Sequence, residues 1–490
     1  MTNQKQTGIT ILGLGPGSGD LLTVEARNWL EQIDELYIRT IEHPTIQILS
    51  NKMNIHSFDY LYEEHASFED VYEKIVQQVL TLGARPQGVT YAVPGHPFVA
   101  EATSPEIVRR AKQNGIPVRI IEGLSFLEPV FSALELDPFP FVTLMDALEL
   151  GQRLQPPFPP SSPLLVAQIY SRMIASEVKM VLTNVYPDEL IVKLVHDAGT
   201  AQCKIQTIPL YEIDRQEEIS LRTVLYVPPL PVETSFEEFQ EVIARLRAPD
   251  GCPWDREQTH LSLRRYLLEE TYELLDALDN ELPEKTAEEL GDLLLQILLH
   301  AQIGVEEGEF GMADVLAGIH RKIVRRHPHV FGDLSVTDAE GVVAAWEKVK
   351  AQERIANSET NSAVGLLRGV PASLPALSQA QEIQTRAARV GFDWDDIEPV
   401  YGKVAEEFAE VKEAAGSPRI ESEIGDLMFA AVNLARWLKV DAETALRSTN
   451  ARFKKRFAHI EKRATESGKQ LTDMTLGEMD RFWDEAKSNE

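Results

Sequence analysis

Residues 286–303 read Thr-Ala-Glu-Glu-Leu-Gly-Asp-Leu-Leu-Leu-Gln-Ile-Leu-Leu-His-Ala-Gln-Ile. As a helix, this stretch puts Glu289 and Asp292, three residues apart, on one face. Leu290, Leu293, Leu294, Leu295, Ile297, Leu298 and Leu299 take up most of the remainder. A helix this apolar has to be buried, in a bundle core or a subunit interface. The helical stretch before it carries Glu270 and Glu273 at the same spacing, with Glu269 one turn ahead of Glu273. Four carboxylates at the edge of an apolar core repel one another, and desolvating each one unpaired costs several kcal/mol. A hard divalent cation removes that cost. Oxygen-only ligands suit Mg²⁺ or Mn²⁺ with water positions left for a phosphate, and carboxylates projecting inward from adjacent bundle helices are one way to build such a site. The expected ligands are therefore Glu270, Glu273, Glu289 and Asp292.

The pattern occurs twice. Gly251-Cys252-Pro253-Trp254-Asp255 returns as Gly391-Phe392-Asp393-Trp394-Asp395. Glu269-Glu270-x-x-Glu273 returns as Glu406-Glu407-x-x-Glu410, and Glu289-x-x-Asp292 as Glu423-x-x-Asp426. Lys322-x-x-x-Arg326 matches Arg452-x-x-x-Arg456, and Trp346-x-x-x-Lys350 matches Trp483-x-x-x-Lys487. Five motifs in one order, with offsets that drift by only a few residues, mark a duplicated module. A single ExxE in so acidic a chain is usually a solvated face; the pairing with ExxD and the duplication argue against that here. The second expected ligand set is Glu407, Glu410, Glu423 and Asp426.

Cationic groups stand nearby in sequence. Lys322, Arg325 and Arg326 cluster within Lys-Ile-Val-Arg-Arg-His-Pro-His-Val-Phe, with Lys322 and Arg326 sharing a helix face. Such groups clamp phosphate oxygens and neutralise charge on a pyrophosphate leaving group; the alternative is a surface pattern paired with nearby acids. Glu269 is positioned to orient or deprotonate a water, Lys350 to assist, and Glu406, Arg452, Arg456 and Lys487 to repeat these roles. Trp254 is a stacking surface for a nucleobase or else a packed tryptophan. His327 and His329 read as helix-ending or substrate-contacting residues, without the spacing of a zinc site.

The rest of the 490-residue chain reads differently. At roughly 100–200 residues per domain, the length allows about three domains. Up to about residue 226, β-branched runs at 9–14, 89–93, 118–121, 164–168, 180–185 and 223–227 alternate with helical stretches such as 68–82 and 104–114, which argues an α/β domain. The proline-rich stretch 228–231 is the major break, and the polar stretch 357–362 reads as a linker. The expected fold is multidomain: an α/β domain at 1–230, then two all-α helical-bundle modules at 231–356 and 363–490. A formal net charge of −29 repels nucleic-acid polymers and anionic membranes, so phosphate-bearing ligands must be captured locally. Two cysteines, Cys203 and Cys252, support neither a disulfide framework nor a cysteine-based zinc site. The polar start reads as no signal peptide and no apolar run reaches the length of a membrane span, so a cytoplasmic location is expected.

Directly after the first strand stands Gly13-Leu14-Gly15-Pro16-Gly17. A dinucleotide fingerprint would need glycine where Ser18 stands, and Pro16 disturbs the turn. A nicotinamide site is not expected.

The helical motifs resemble the MazG family of nucleoside-triphosphate pyrophosphohydrolases. The match runs through 251–255 with Gln258-Thr259, the EExxE and ExxD pairs, Arg325-Arg326-His327-Pro328-His329-Val330-Phe331, and Trp346-Glu347-x-x-Lys350. The resemblance implies a dimerising all-α fold and Mg²⁺-dependent cleavage of NTPs to NMP and pyrophosphate. One departure is Arg452, where that family's C-terminal module has lysine; the two are not interchangeable at a phosphate. The string Gly13-Leu14-Gly15-Pro16-Gly17-Ser18-Gly19-Asp20-Leu21-Leu22-Thr23, with Tyr91-Ala92-Val93-Pro94-Gly95-His96-Pro97 and Ile121-Glu122-Gly123-Leu124-Ser125, resembles the tetrapyrrole methylases. That resemblance implies an S-adenosylmethionine cleft lined by Gly13, Gly15, Pro16, Gly17, Pro94, Gly95, His96, Pro97, Gly123 and Ser125. Here His96 stands in place of the usual acid. The fused order resembles the YabN-type bifunctional proteins. Two other readings stay open: tetrapyrrole methylation with the helical modules as scaffold, and a non-enzymatic nucleotide-binding regulator. Complete carboxylate quartets in both repeats are more than a scaffold needs.

Overall fold

The structure, a computed structural model, describes residues 8–49, 53–65, 67–336, 338, 341–342, 345–346, 349, 353 and 366–489. The chain divides into two compact units, Met1–Cys252 and Pro253–Glu490. The expected break at 230/231 precedes a helix, Phe236–Arg247, that falls within the first unit. No helix among the described residues is long and apolar enough to cross a membrane.

The first unit holds two five-stranded sheets. Strands β1 (Ile9–Gly13), β2 (Glu35–Ile38), β3 (Asn54–Ser57), β4 (Val89–Val93) and β5 (Val118–Ile121) form one, in the order β3-β2-β4-β1-β5, all parallel. Parallel sheets are covered on both faces, and every residue of β1 and β4 is buried. Alternation along β1 feeds two cores. Ile9 and Ile11 pack with Val71, Ile75 and Val79 of the helix Phe68–Gly83, while Leu12 packs with Ala26, Leu30 and Leu36 on the other face. Strands β6 (Thr143–Asp146), β7 (Leu164–Ala167), β8 (Ile191–His196), β9 (Lys204–Pro209) and β10 (Thr223–Val227) form the second sheet, in the order β6-β7-β10-β8-β9. Its pairs are antiparallel apart from β6 with β7.

One expected strand is corrected. Residues 180–185 were read as extended, but 180–182 end a helix, Arg172–Leu182, capped by the Ser171 side chain. Ile174, Ala175, Val178, Val181 and Leu182 recur at helical spacing and are buried in the core of the second sheet. The extended chain comes later, at β8 and β9.

In the second unit no strand occurs among the described residues. Helices α1 (His260–Asp279) and α2 (Pro283–Glu307) pack as a hairpin, followed by α3 (Met312–Arg326). The second repeat supplies α4 (Ala376–Ala388), α5 (Glu398–Ala414), α6 (Ile420–Trp437), α7 (Ala442–Glu466) and α8 (Leu476–Ser488), with α5 packed on α6. Thr259 and Ser262 start α1 with a reciprocal capping box. Pro283 opens α2 at a position whose N–H is unpaired anyway, and Gly308, at φ 71°, ends it. Leu298, Leu299 and Ile303 of α2 are buried, Leu293, Leu294 and Leu295 are half-buried, and Leu290 and Ile297 are exposed, so the helix is less covered than its apolar sequence predicts.

The C-terminal ends of β1, β4 and β5 meet with no room for side chains. A Cβ on Gly123 would lie 2.5 Å from the Gly95 carbonyl oxygen, and one on Gly13 would lie 2.6 Å from the same atom. Gly123→Ala should therefore destabilise the first unit by about 1–3 kcal/mol, the usual cost of overpacking against backbone. A lowered urea midpoint is the readout, and an unchanged one contradicts the close approach.

Candidate functional sites: two acidic helix pairs and a glycine-lined cleft

The α1–α2 hairpin brings the first acidic set together. Ligand atoms of Glu270, Glu273 and Glu289 lie within 4.8 Å of one another. Asp292 stands outside that group but acts on Glu270 electrostatically. The α5–α6 pair repeats the arrangement with a different trio, Glu407, Glu423 and Asp426, and here Glu410 is the outlying fourth.

Each cluster hides one carboxylate with a bare oxygen. Glu289 is 2% exposed; its Oε1 receives Lys285 Nζ at 3.0 Å, and its buried Oε2 has no hydrogen-bond partner among the described residues. Glu407 is 5% exposed; its Oε1 receives Lys403 Nζ at 2.7 Å, and its Oε2 is likewise buried and unpartnered. A buried anionic oxygen without a donor is unstable unless a cation completes it. Crowding shows in the proton affinities. Burial, and then Asp292, Glu273, Glu269 and Glu289, raise the Glu270 carboxyl above its ordinary value. Glu410 is raised chiefly by Glu407. The donor set is all oxygen and its excess charge is negative, so the residues fit a hard divalent cation.

Not every expected residue joins a cluster. Glu269 is exposed beside its cluster, and exposed Glu406 takes Lys403 Nζ at 3.1 Å. At the end of α3, Arg325 and Arg326 are both engaged by Glu353, at 2.5 and 2.7 Å. The arginines draw the Glu353 carboxyl below its ordinary value, Arg326 most strongly. Sequence reading missed Glu353 because it follows the arginines by many residues. Lys322 is exposed on the same helix, and Lys350 lies outside the described residues. In the second repeat Arg452 donates to Thr449 Oγ1 at 2.9 Å, Arg456 lies over the Trp483 ring at 5.4 Å, and Lys487 is exposed. Trp254 is half exposed, edge-on to Tyr266 with ring centres 5.9 Å apart.

In the first unit the glycine loops after β1 and β4 touch. Gly95 N–H donates to Gly15 O at 2.8 Å, and Gly15 N–H to Gly95 O at 3.3 Å. Gly15 and Gly95 take φ of 75° and 70°, a left-handed conformation that glycine adopts freely. Buried His43 and Thr45 pin the loop. His43 Nε2 donates to Gly15 O at 3.0 Å while Nδ1 accepts from Thr45 N–H at 3.3 Å. Burial holds His43 neutral by lowering its pKa to about 4. Thr45 Oγ1 donates to Gly17 O at 3.0 Å. Ser125 donates its N–H and hydroxyl to Glu128, and His96 Nδ1 accepts from Phe98 N–H. Arg39, just past β2 and half-buried, pairs with buried Glu101, whose carboxylate also receives Thr103 N–H at 2.9 Å. Both residues escaped the sequence reading. Parallel α/β sheets bind ligands in the crevice at the strands' carboxyl ends where strand order reverses; β1 and β4 flank that point.

Family models agree with this division. Residues 8–214 match the Tetrapyrrole (Corrin/Porphyrin) Methylases, and residues 258–331 match the MazG nucleotide pyrophosphohydrolase domain. A solved structure with similarity is uroporphyrin-III-C-methyltransferase from Thermus thermophilus, 18% identical, covering 45% of this chain and 94% of that one, with a TM-score of 0.36. The two family models define the class, an α/β methylase-like domain followed by a MazG-type helical region. The MazG nucleoside triphosphate pyrophosphohydrolase/pyrophosphatase of Thermotoga maritima is 44% identical over 52% of this chain and 96% of its own. The nucleoside triphosphate pyrophosphohydrolase of Escherichia coli K12 is 44% identical over 51% and 95%. The chain belongs to the family of the Bacillus subtilis protein YabN, to which it is 44% identical over 98% of this chain and 99% of that one.

The raised Glu270 carboxyl has a signed consequence. A folded-state pKa above the unfolded value means that the folded protein binds more protons in that window, so stability falls as pH rises through it. Without divalent cation, Glu270→Gln should therefore melt above the parent at neutral pH. Its advantage should vanish below the ordinary carboxylate range, and saturating Mg²⁺ should reverse the order at neutral pH. Thermal melts at several pH values decide this; a variant less stable than its parent without cation contradicts the crowding.

Proposed function

We propose that the chain is a Mg²⁺-dependent nucleoside-triphosphate pyrophosphohydrolase that converts NTP and water to NMP and pyrophosphate. The observation that carries this is the duplicated acidic helix pair, each with a buried carboxylate oxygen that lacks a donor. The relatives named as pyrophosphohydrolases support the same reaction. Glu270, Glu273, Glu289 and Asp292 would hold Mg²⁺ (or Mn²⁺) in the first module, and Glu407, Glu410, Glu423 and Asp426 in the second. When bound, the cation screens the triphosphate and lowers the pKa of a water. Glu269 and Glu406 orient that water or take its proton. Lys322 and Arg326, with Arg325 beside them, and Arg452 and Arg456 hold phosphate oxygens; Lys350 and Lys487 assist. Trp254 offers a stacking face to the base. We assign the α/β domain to residues 1–230 and the two helical modules to residues 231–356 and 363–490.

The α/β domain would bind S-adenosylmethionine along Gly13, Gly15, Pro16, Gly17, Pro94, Gly95, His96, Pro97, Gly123 and Ser125. Support comes from the side-chain-free cradle at Gly13, Gly95 and Gly123 and from the methylase family model. Calorimetry with S-adenosylmethionine tests it, and no heat at millimolar ligand counts against it. Large apolar residues left exposed on α2 and α3, among them Leu290, Ile297, Leu316, Ile319 and Ile323, support a homodimer through the helical modules. A cytoplasmic setting follows from the proposed substrate.

The decisive measurement is pyrophosphate release from a panel of NTPs and dNTPs, with products identified. Glu270→Gln and Glu407→Gln, made separately, apportion turnover between modules. Loss of a key electrostatic group lowers kcat on the order of 10²–10³-fold, and the first module should contribute substantially. A silent Glu270→Gln with a dead Glu407→Gln reassigns the work to the second module. If both are silent, the metal-site reading fails.

A further inference from the structure

A second kind of cluster sits at the far end of the α1–α2 hairpin. His260 is the first residue of α1, ten residues and about 15 Å of helix from Glu270. Across from it lie the end of α2 and the turn that follows. Gly308, in the left-handed conformation, lets Glu309 N–H return to Gly304 O at 2.9 Å, which folds Glu309 and Phe310 back over the hairpin. One ligand atom from each of His260, Glu307 and Glu309 lies within 4.8 Å of the others.

The orientation of His260 is fixed on its other side. Its ring lies edge to edge with that of His300, centres 5.0 Å apart and planes 3° from parallel, and its centre is 6.0 Å from that of Phe310. His260 Nδ1 and His300 Nδ1 are 2.7 Å apart, so one hydrogen lies between two nitrogens. With that hydrogen on His260, its Nε2 presents a bare lone pair toward Glu307. The separation from Glu307 Oε2, 3.7 Å, is too long for a hydrogen bond, and Nε2 is buried with no hydrogen-bond partner among the described residues. Two donors bound at about 2.0–2.2 Å to one cation stand roughly 3–3.7 Å apart. A lone pair facing two carboxylates is repulsive by itself and is what a cation would hold together.

We propose that His260, Glu307 and Glu309 form a second metal site, distinct from the acidic clusters and selective for a nitrogen- and oxygen-binding divalent ion such as Zn²⁺. An imidazole in the donor set favours first-row transition ions over Mg²⁺. His300 is the positioning partner that sets the His260 tautomer, as outer-shell groups of metal-bound histidines do. The second repeat does not carry the site: the positions matching His260 and His300 hold Ile397 and Leu434. The site belongs to the first repeat and clasps the open end of its hairpin.

The test uses the full-length protein in millimolar Mg²⁺, which occupies the all-oxygen clusters, titrated with Co²⁺ as the spectroscopic probe. The expected result is one equivalent of Co²⁺ with visible d–d bands, bleached by Zn²⁺. His260→Gln and Glu309→Gln should abolish the bands, His300→Leu should weaken binding about 10-fold or more, and Glu270→Gln should leave the bands intact. Glu309 is exposed beyond the helix end, so its variant keeps the fold, which melting verifies. Absence of Co²⁺ binding under these conditions overturns the proposal. Bands that survive Glu309→Gln or His260→Gln, or that vanish with Glu270→Gln, overturn it as well.

Discussion

A carboxylate buried with one oxygen paired and the other bare is among the more costly groups a helix pair can carry. Glu289 and Glu407 are both in that condition. Much of the second unit follows from accommodating them. The lysine one turn earlier in each case, Lys285 or Lys403, covers one oxygen and leaves the other buried without a donor, on a residue that belongs to a cluster of acids. The apolar faces of α1 and α2 bring the two acidic faces close enough to crowd, and the capping at Thr259 and Gly308 sets where those helices start and stop. The repulsion comes from the acids themselves, and it makes an anionic, oxygen-lined position suited to a cation.

The two repeats solve the same problem in different ways. In the first, the hidden carboxylate comes from the second helix of the pair; in the second, it comes from the first helix. The close trio accordingly draws two residues from α1 and one from α2, but one from α5 and two from α6. Lys403 has no lysine counterpart in the first repeat, where Tyr266 stands at the matching position. Duplication has kept the charge count of the clusters and let their internal support diverge.

What could be read from the sequence was whatever repeats at short range. Period 3.6 with carboxylates three apart placed α2 and both acidic sets, and the duplication raised a common ExxE pattern above background. The run at 180–185 misled because valines and leucine spaced three and four apart serve a buried helix as well as a strand. His43, Arg39 with Glu101, and Glu353 stayed invisible for a different reason. Each gains its role from a partner fixed by chain crossing, and isolated polar residues carry no periodic signal. The glycines at 13, 95 and 123 were legible as loop residues, but their mutual backbone contact is a property of strand order in the sheet.

The grip of Glu353 on Arg325 and Arg326 bears on selectivity. Any anion that uses this guanidinium pair must first displace a carboxylate already seated there by two-point contact. An incoming ion with a single charge offers the arginines nothing that Glu353 does not, and it arrives against the repulsion of an acidic chain. A polyphosphate brings several charges on adjacent oxygens and outbids the resident group. In the proposed phosphate-binding role, the end of α3 would therefore sort anions by valence.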